Sequence, residues 1–215
     1  MSDLYNFDYQ LLVAGAGAGK FGGILAAGID EAGRGPLAGP VVAASVILSY
    51  SKEIEGINDS KKLSEKKRES LFWDIVCSAI AIGVGIIGPE VIDEINILNA
   101  SKLAMVRAVE DLRIKPSILL IDALTLQITG YKQIPIIKGD AKSACIAAAS
   151  IIAKVTRDCI MKAYDTQYPQ YGFSSHKGYG TKVHMDNLRR FGPCAIHRKT
   201  FAPVTELLLS NIKDK

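Results

Sequence analysis

Apolar and polar positions along the chain follow two rhythms. Short apolar runs rich in β-branched residues mark strands, and recurrences every three to four positions mark helices. Ile24 to Asp30 and Val41 to Leu48 are the first two strand-like runs, joined through Gly33, Gly35 and Pro36. They predict an antiparallel pair turned through a glycine loop. Ile80 to Ile87 predicts a third strand, with Gly83 and Gly85 on one face, where a neighbouring element or a substrate is expected to pack closely. Ser117 to Ile121 is apolar throughout, as in a central strand covered on both faces, and Gln133 to Ile137 predicts a fifth.

Between these runs the rhythm is helical. Asp8 to Val13 predicts a short helix. Ser64 ahead of Leu71, Phe72, Ile75 and Val76 predicts a capped amphipathic one. Pro89 opens a short helix reaching about Ile95. A longer one spans Asn99 to Arg113, with Leu103, Val106, Val109 and Leu112 near one face. Ala141 to Tyr164 reads as one long helix, and its early Ser143, Ala144 and Ala147 to Ala149 permit close approach to a sheet. Ser174 to Gly180 is a polar glycine loop, followed by short helices over Val183 to Arg190 and Val204 to Ile212.

Residues 1–23 read as an N-terminal extension ahead of a domain over 24–215. The run Ala14 to Gly23 superficially matches a phosphate-cradling loop. Lys20, however, is followed by Phe21 where a hydroxyl is needed, and Gly22-Gly23 does not open a helix, so a flexible linker is expected. With 215 residues, 48% hydrophobic and 22% charged, the chain suits one compact domain with a small appendage. A net charge of +4 leans towards polyanionic partners. Cys77, Cys145, Cys159 and Cys194 show no CxxC pairing and no histidine at zinc-like spacing. Cys77, Cys145 and Cys159, in apolar or helix-like runs, read as reduced, buried small hydrophobes of a cytoplasmic protein. No charge-free apolar stretch reaches the ~18 residues of a membrane span, and early Asp3 and Asp8 do not suit a signal peptide.

Carboxylates change the picture most. Asp30 and Glu31 stand where the first strand meets the glycine loop, Asp122 follows the central strand, and Asp140 follows the fifth. Taken singly, each can simply terminate a strand. Strands lie about 4.8 Å apart, so neighbouring strand ends would bring these acids together. Side chains alternate along a strand, so adjacent Asp30 and Glu31 share a site only if the strand ends or bulges there. Four converging acids would raise one another's pKa and favour hard cations, Mg²⁺ or Mn²⁺, over zinc. Two such ions about 3.5–4 Å apart clamp a phosphodiester.

Asp30-Glu31-Ala32-Gly33-Arg34-Gly35-Pro36, continued by Leu37 to Ala44, resembles the first motif of ribonuclease HII, the type 2 ribonuclease H family. Asn58 to Lys62 resembles that family's Asp-Ser-Lys segment, and Lys177 to Thr181 its Lys-Gly-Tyr-Gly-Thr segment. The resemblance spans roughly residues 24–206. Arg34, and the short extension, favour this family over the related ribonuclease HIII. The resemblance implies an α/β, ribonuclease H-like fold, a mixed central β-sheet flanked by helices and closed by short C-terminal helices. It places the metal-binding catalytic acids on Asp30, Glu31, Asp122 and Asp140, with two Mg²⁺ or Mn²⁺ ions as cofactors. It implies partners in RNA–DNA hybrids and in DNA duplexes carrying single ribonucleotides, cut on the 5′ side of the ribonucleotide, with roles in ribonucleotide excision and DNA replication. A monomer is expected.

Such an enzyme must sense the 2′-hydroxyl. Gly33 and Gly35 lack a Cβ and let backbone N–H and C=O groups approach the sugar, while Arg34 suits a phosphate. Tyr179, between two glycines, can stack on a sugar or base and hydrogen-bond the hydroxyl. Lys61 at a helix entrance, and Lys154 and Arg157 one helical turn apart, are phosphate candidates or members of solvated faces. Two rival readings stay open. One is a nucleotide-dependent transferase or oxidoreductase using Gly15 to Lys20; the other is a nucleic-acid-binding module with a decayed site.

Overall fold

The computed structural model describes residues 1–16 and 24–213, so the glycine run over 17–23, with the linker and phosphate-loop readings attached to it, lies outside the described residues. The core is a five-stranded sheet in the order β3-β2-β1-β4-β5. Its strands are β1 (Ala26–Ala32), β2 (Val41–Ile47), β3 (Ala81–Ile87), β4 (Ile118–Asp122) and β5 (Lys132–Ile136). β1, β2 and β3 form an antiparallel meander, whereas β4 and β5 run parallel to β1, so the sheet is mixed. No helix among the described residues is long and apolar enough to cross a membrane.

Alternation along β2 explains the two layers. Val42, Ala44 and Val46 point to a core shared with α2 (Glu65–Ser78) and α4 (Ala144–Gln167). Val41, Ala43 and Ile47 point the other way, to α3 (Pro89–Glu110). Gly83 and Gly85 answer the question raised by their spacing: α3 packs there, and an added Cβ would lie 2.1 Å from the Ala108 carbonyl oxygen and 2.0 Å from that of Ala104. α2 begins where Ser64 Oγ accepts from Lys67 N, as its sequence predicts.

The helices depart from expectation in three places. The segments expected from Pro89 and from Asn99 form one helix with a kink at Asn96, which takes φ +66°. Its side-chain oxygen accepts from Leu98 N and Asn99 N, restarting the second half. The N-terminal helix α1 is longer than Asp8 to Val13, spanning Asp3–Ala16. It docks on the body: Ile54 N donates to Tyr5 Oη at 2.9 Å, and Cys145 N, at the start of α4, donates to Asp8 Oδ2 at 2.9 Å. α4 begins at Ala144 behind a Ser143 cap, not at Ala141, and runs on to Gln167. Among the cysteines only Cys145 is buried; Cys77 and Cys159 are exposed and Cys194 lies between. Beyond α4 come one turn, α5 (Phe173–His176), then α6 (Lys182–Phe191) and α7 (Ala202–Lys213).

Candidate active site

Parallel pairing brings the acids to one edge of the sheet. The last β1–β4 partners are Ile29 and Ile121, so Asp30 and Asp122 follow side by side as the next residue of each strand. β1 does not end at Asp30 but continues to Ala32, pairing Asp30 with Ala44 and Glu31 with Ala43 of β2. Both acids nevertheless reach one cleft, and Asp30 Oδ1 accepts from Glu31 N at 2.7 Å. Asp140 is not at a strand end: β5 stops at Ile136, and Asp140 sits on a 3₁₀ turn, Gly139–Ala141. Gly139 N donates to Asp122 Oδ1 at 2.7 Å and ties that turn to β4. Ala123 and Lys138, at φ +52° and +57°, are left-handed non-glycine residues beside these acids, a form of stored strain common at working sites.

The cleft, of about 440 Å³, is lined by Asp30, Glu31, Gly33, Arg34, Gly35, Lys61, Asp122, Lys154 and Tyr179, together with Ala32 and Ser60. Asp140 lies in an adjoining hollow that Asp122 and Lys61 also border. Burial, then Glu31 and Asp122, push Asp30 well above the usual carboxylate range. Burial also raises Glu31, against the pull of Arg34, whose Nη1 is 3.3 Å from Glu31 Oε1. Asp140 is raised by burial and by Asp59, and Lys61 Nζ stands 3.6 Å from its Oδ2. Burial pulls Lys61 down, but Asp140, Asp30, Asp59 and Asp122 together push it up.

Among the described residues no three His, Cys, Asp or Glu side chains close around one point as a finished cage. The acids instead rim an open cleft, and the donor set still fits hard divalent cations: every donor is a carboxylate oxygen, and Glu31 Oε2 is buried with no hydrogen-bond partner. An unpaired buried carboxylate oxygen is costly unless a cation reaches it.

Across the cleft stands Tyr179, 43% exposed, with Cε1 3.8 Å from where a Cβ on Gly35 would lie. Lys154 Nζ is 6.0 Å from the ring centroid and also pairs with Asp158 Oδ1 at 2.7 Å. Lys61 keeps its ammonium on the rim, but its backbone N–H donates to Asp59 Oδ1, so that amide is not free to join the ammonium on a phosphate.

Arg157 departs most from expectation. It is fully buried and faces no duplex: Nε, Nη1 and Nη2 donate to the carbonyls of Pro40, Lys177 and Ala38 at 2.9, 3.0 and 3.1 Å. Gly33, at φ +99°, makes room for it, since a Cβ would lie 2.1 Å from Arg157 Nε.

Residues 27–204 match the family model of ribonuclease HII. The chain belongs to the ribonuclease HII family, the type 2 ribonucleases H. It is 59% identical over 180 residues to the ribonuclease HII of Bacillus subtilis strain 168, covering 84% of this chain and 70% of that one. The crystal structure of ribonuclease H2 from Pyrococcus horikoshii OT3 superposes with a TM-score of 0.73 at 31% identity, covering 88% of this chain and all of that one. Ribonuclease HII from Archaeoglobus fulgidus, solved in complex with PCNA, superposes at 0.71 and 30% identity, covering 83% and 95%.

Two groups around the cleft carry no signal in the sequence. Arg198, also fully buried, donates from Nη2, Nη1 and Nε to the carbonyls of Gly33, Arg34 and Gly39 at 2.6, 2.9 and 3.0 Å. A histidine chain holds Tyr179 from behind. Cys194 N donates to His197 Nδ1 at 3.0 Å, which leaves Nε2–H of His197 to donate to His184 Nε2 at 3.1 Å. His184 Nδ1–H then donates to the Tyr179 carbonyl at 2.9 Å. The pattern requires both rings neutral. Burial, then the neighbouring His184, push His197 down to about 4, and burial lowers His184. His176 stacks on His184 with ring centroids 4.4 Å apart. A lone arginine between His197 and Lys199, and scattered histidines, carry no local signal of these roles.

Proposed function

We propose that this protein is an endonuclease that hydrolyses the RNA strand of RNA–DNA hybrids and nicks duplex DNA on the 5′ side of single embedded ribonucleotides, leaving 3′-hydroxyl and 5′-phosphate ends. One observation carries the reading: Asp30, Glu31 and Asp122 share a single cleft with Gly33, Arg34, Gly35 and Tyr179. Carboxylates suited to hard cations thus stand opposite groups suited to a ribose. Asp30, Glu31, Asp122 and Asp140 would hold two Mg²⁺ or Mn²⁺ ions, which when bound supply an acidified water and a neutralised leaving oxygen.

The chain's own residues position the strand. Tyr179 offers an exposed ring to the sugar and its hydroxyl to the 2′-OH, the group that separates RNA from DNA. Exposed Gly35 allows the loop backbone to close on the same sugar, while Gly33 lines the cleft with its backbone and leaves room for Arg157 beneath. Arg34, Lys61 and Lys154 face the cleft as phosphate contacts. Arg157 supports the loop from beneath. The enzyme acts as a cytoplasmic monomer.

A labelled DNA duplex with one ribonucleotide tests this directly. Incision at one bond, 5′ of the ribonucleotide and dependent on Mg²⁺ or Mn²⁺, is expected, with the all-DNA duplex left intact. Absence of ribonucleotide-dependent incision by folded protein would overturn the reading.

A further inference from the structure

Arg198 carries a charge into the interior with no carboxylate in ion-pair contact among the described residues; Asp93 offsets that charge only from a distance. Its guanidinium donates to the Gly33, Arg34 and Gly39 carbonyls, and Arg157, also buried, is close enough to lower its pKa further. Burial and then Arg157 bring Arg198 down to about 9, so it remains a cation at neutral pH. Two like charges packed under one loop are expensive, and apolar side chains would fill the same space at less cost. The arrangement therefore has to achieve something that filling space does not.

The peptide units it grips show what. A trans peptide points its N–H opposite its C=O, and no peptide bond among the described residues is cis. Of the three units that Arg198 holds, Gly39–Pro40 carries no N–H, because proline lacks one. The other two carry the N–H groups of Arg34 and Gly35. Among the described residues nothing accepts a hydrogen bond from either. Both residues are exposed and line the cleft. Other amides nearby are spent: Leu37 N donates to Gly178 O, Gly39 N to Ile196 O, and Gly178 N to His176 Nδ1.

We propose that Arg198 is a positioning residue: its buried fork turns the Gly33 and Arg34 carbonyls inward and so presents the Arg34 and Gly35 N–H groups, as a fixed pair of donors, to the sugar-phosphate of the ribonucleotide. The cation also polarises both peptides, which strengthens those donors. Lysine cannot replace it, because a point charge does not hold three carbonyls in one plane. This rests on the reading that the glycine loop contacts the ribonucleotide.

The test compares wild type with Arg198→Lys on two duplexes, all-DNA and the same with one ribonucleotide, in EDTA so that no cleavage occurs. In wild type, the ¹⁵N-labelled amides of Arg34 and Gly35 should shift on adding the ribonucleotide duplex and far less on adding the all-DNA duplex. Arg198→Lys should lose about tenfold or more of the preference for the ribonucleotide duplex, as expected for one or two donors lost. Affinity for the all-DNA duplex should stay within about twofold. If the wild-type amides do not respond, the reading of the loop fails. If they respond and Arg198→Lys keeps both response and preference, the loop reading stands and Arg198 is only structural. Should Arg198→Lys not fold, the side-chain N–H signals of Arg198 in wild type decide. They should move together with the two amides, and signals that stay still while the amides move overturn the proposal.

Discussion

On the sheet side of the cleft, Asp30, Glu31, Asp122 and Asp140 crowd together with more negative charge than their surroundings neutralise. Arg34 and Lys61 offset part of it, and Glu31 Oε2 is left without a partner. On the loop side the polar groups are also buried, yet the guanidinium nitrogens of Arg157 and Arg198 and both ring nitrogens of His184 and His197 find partners. An under-satisfied cluster gains by taking up cations, while a fully satisfied network gains by staying still. Under the proposed function, the chemistry belongs to the frustrated half and the discrimination to the rigid half.

The strongest challenge to that contrast is to neutralise one acid. In Asp30→Asn, Asp122→Asn or Asp140→Asn, cleavage should fall by more than about a thousandfold. Changes one shell further out typically cost ~10–100-fold, and a lost ligand costs more. An Asn oxygen can still accept from Glu31 N or Gly139 N, so the fold should persist. With less repulsion, the metal-free melting temperature should stay level or rise. Single-turnover rates and melting curves check both halves; near-normal turnover would mean that the acids serve local structure and hold no catalytic metal.

Acid should attack the loop half selectively. His197 is held neutral, with its folded pKa depressed from 6.5 to about 4. The folded state then binds fewer protons than the unfolded one, so this contribution is complete above about pH 6.5 and lost as pH falls through 4. It amounts to about 3 kcal/mol across that window. Urea unfolding of wild type and His197→Gln between pH 7 and 4 should show the mutant losing less stability on acidification. Parallel losses would show that the histidine chain is not the acid-sensitive part.

Tyr179 sharpens the contrast with the smallest expected change. Its backbone carbonyl is tied to His184 and Thr181, while its ring is free to meet a ligand. Tyr179→Phe removes one hydrogen bond, at about 0.5–1.5 kcal/mol. Tyr179→Ala also removes stacking, another 1–3 kcal/mol or so. On a duplex with one ribonucleotide, Ala should therefore be about ten- to a hundredfold slower than Phe. Metal affinity and melting temperature should barely move. A lowered melting temperature with normal cleavage by the folded fraction would assign the ring to packing.

The strand runs, the Ser64 cap, the long small-residue helix and the Asp-Glu-Ala-Gly-Arg-Gly-Pro segment could all be read from local order, because periodicity, capping and glycine placement act between neighbours in the chain. That local order also placed acids at the ends of two strands that pair. It could not show that β1 runs two residues beyond Asp30 while both acids still reach the cleft. Nor could it place Asp140 on a turn, because such details depend on where β4 stops pairing and what Gly139 then contacts. Arg157 illustrates the limit best. One helical turn from Lys154 it suits a solvent-facing phosphate contact, and only packing of the loop against α4 buries it. Arg198 reaches Gly33 across 165 positions of sequence. A buried polar group takes its role from whatever the folded chain brings within about 3 Å; no local pattern carries that information, and it exists only once the sheet, α4 and the C-terminal segment have closed around the loop.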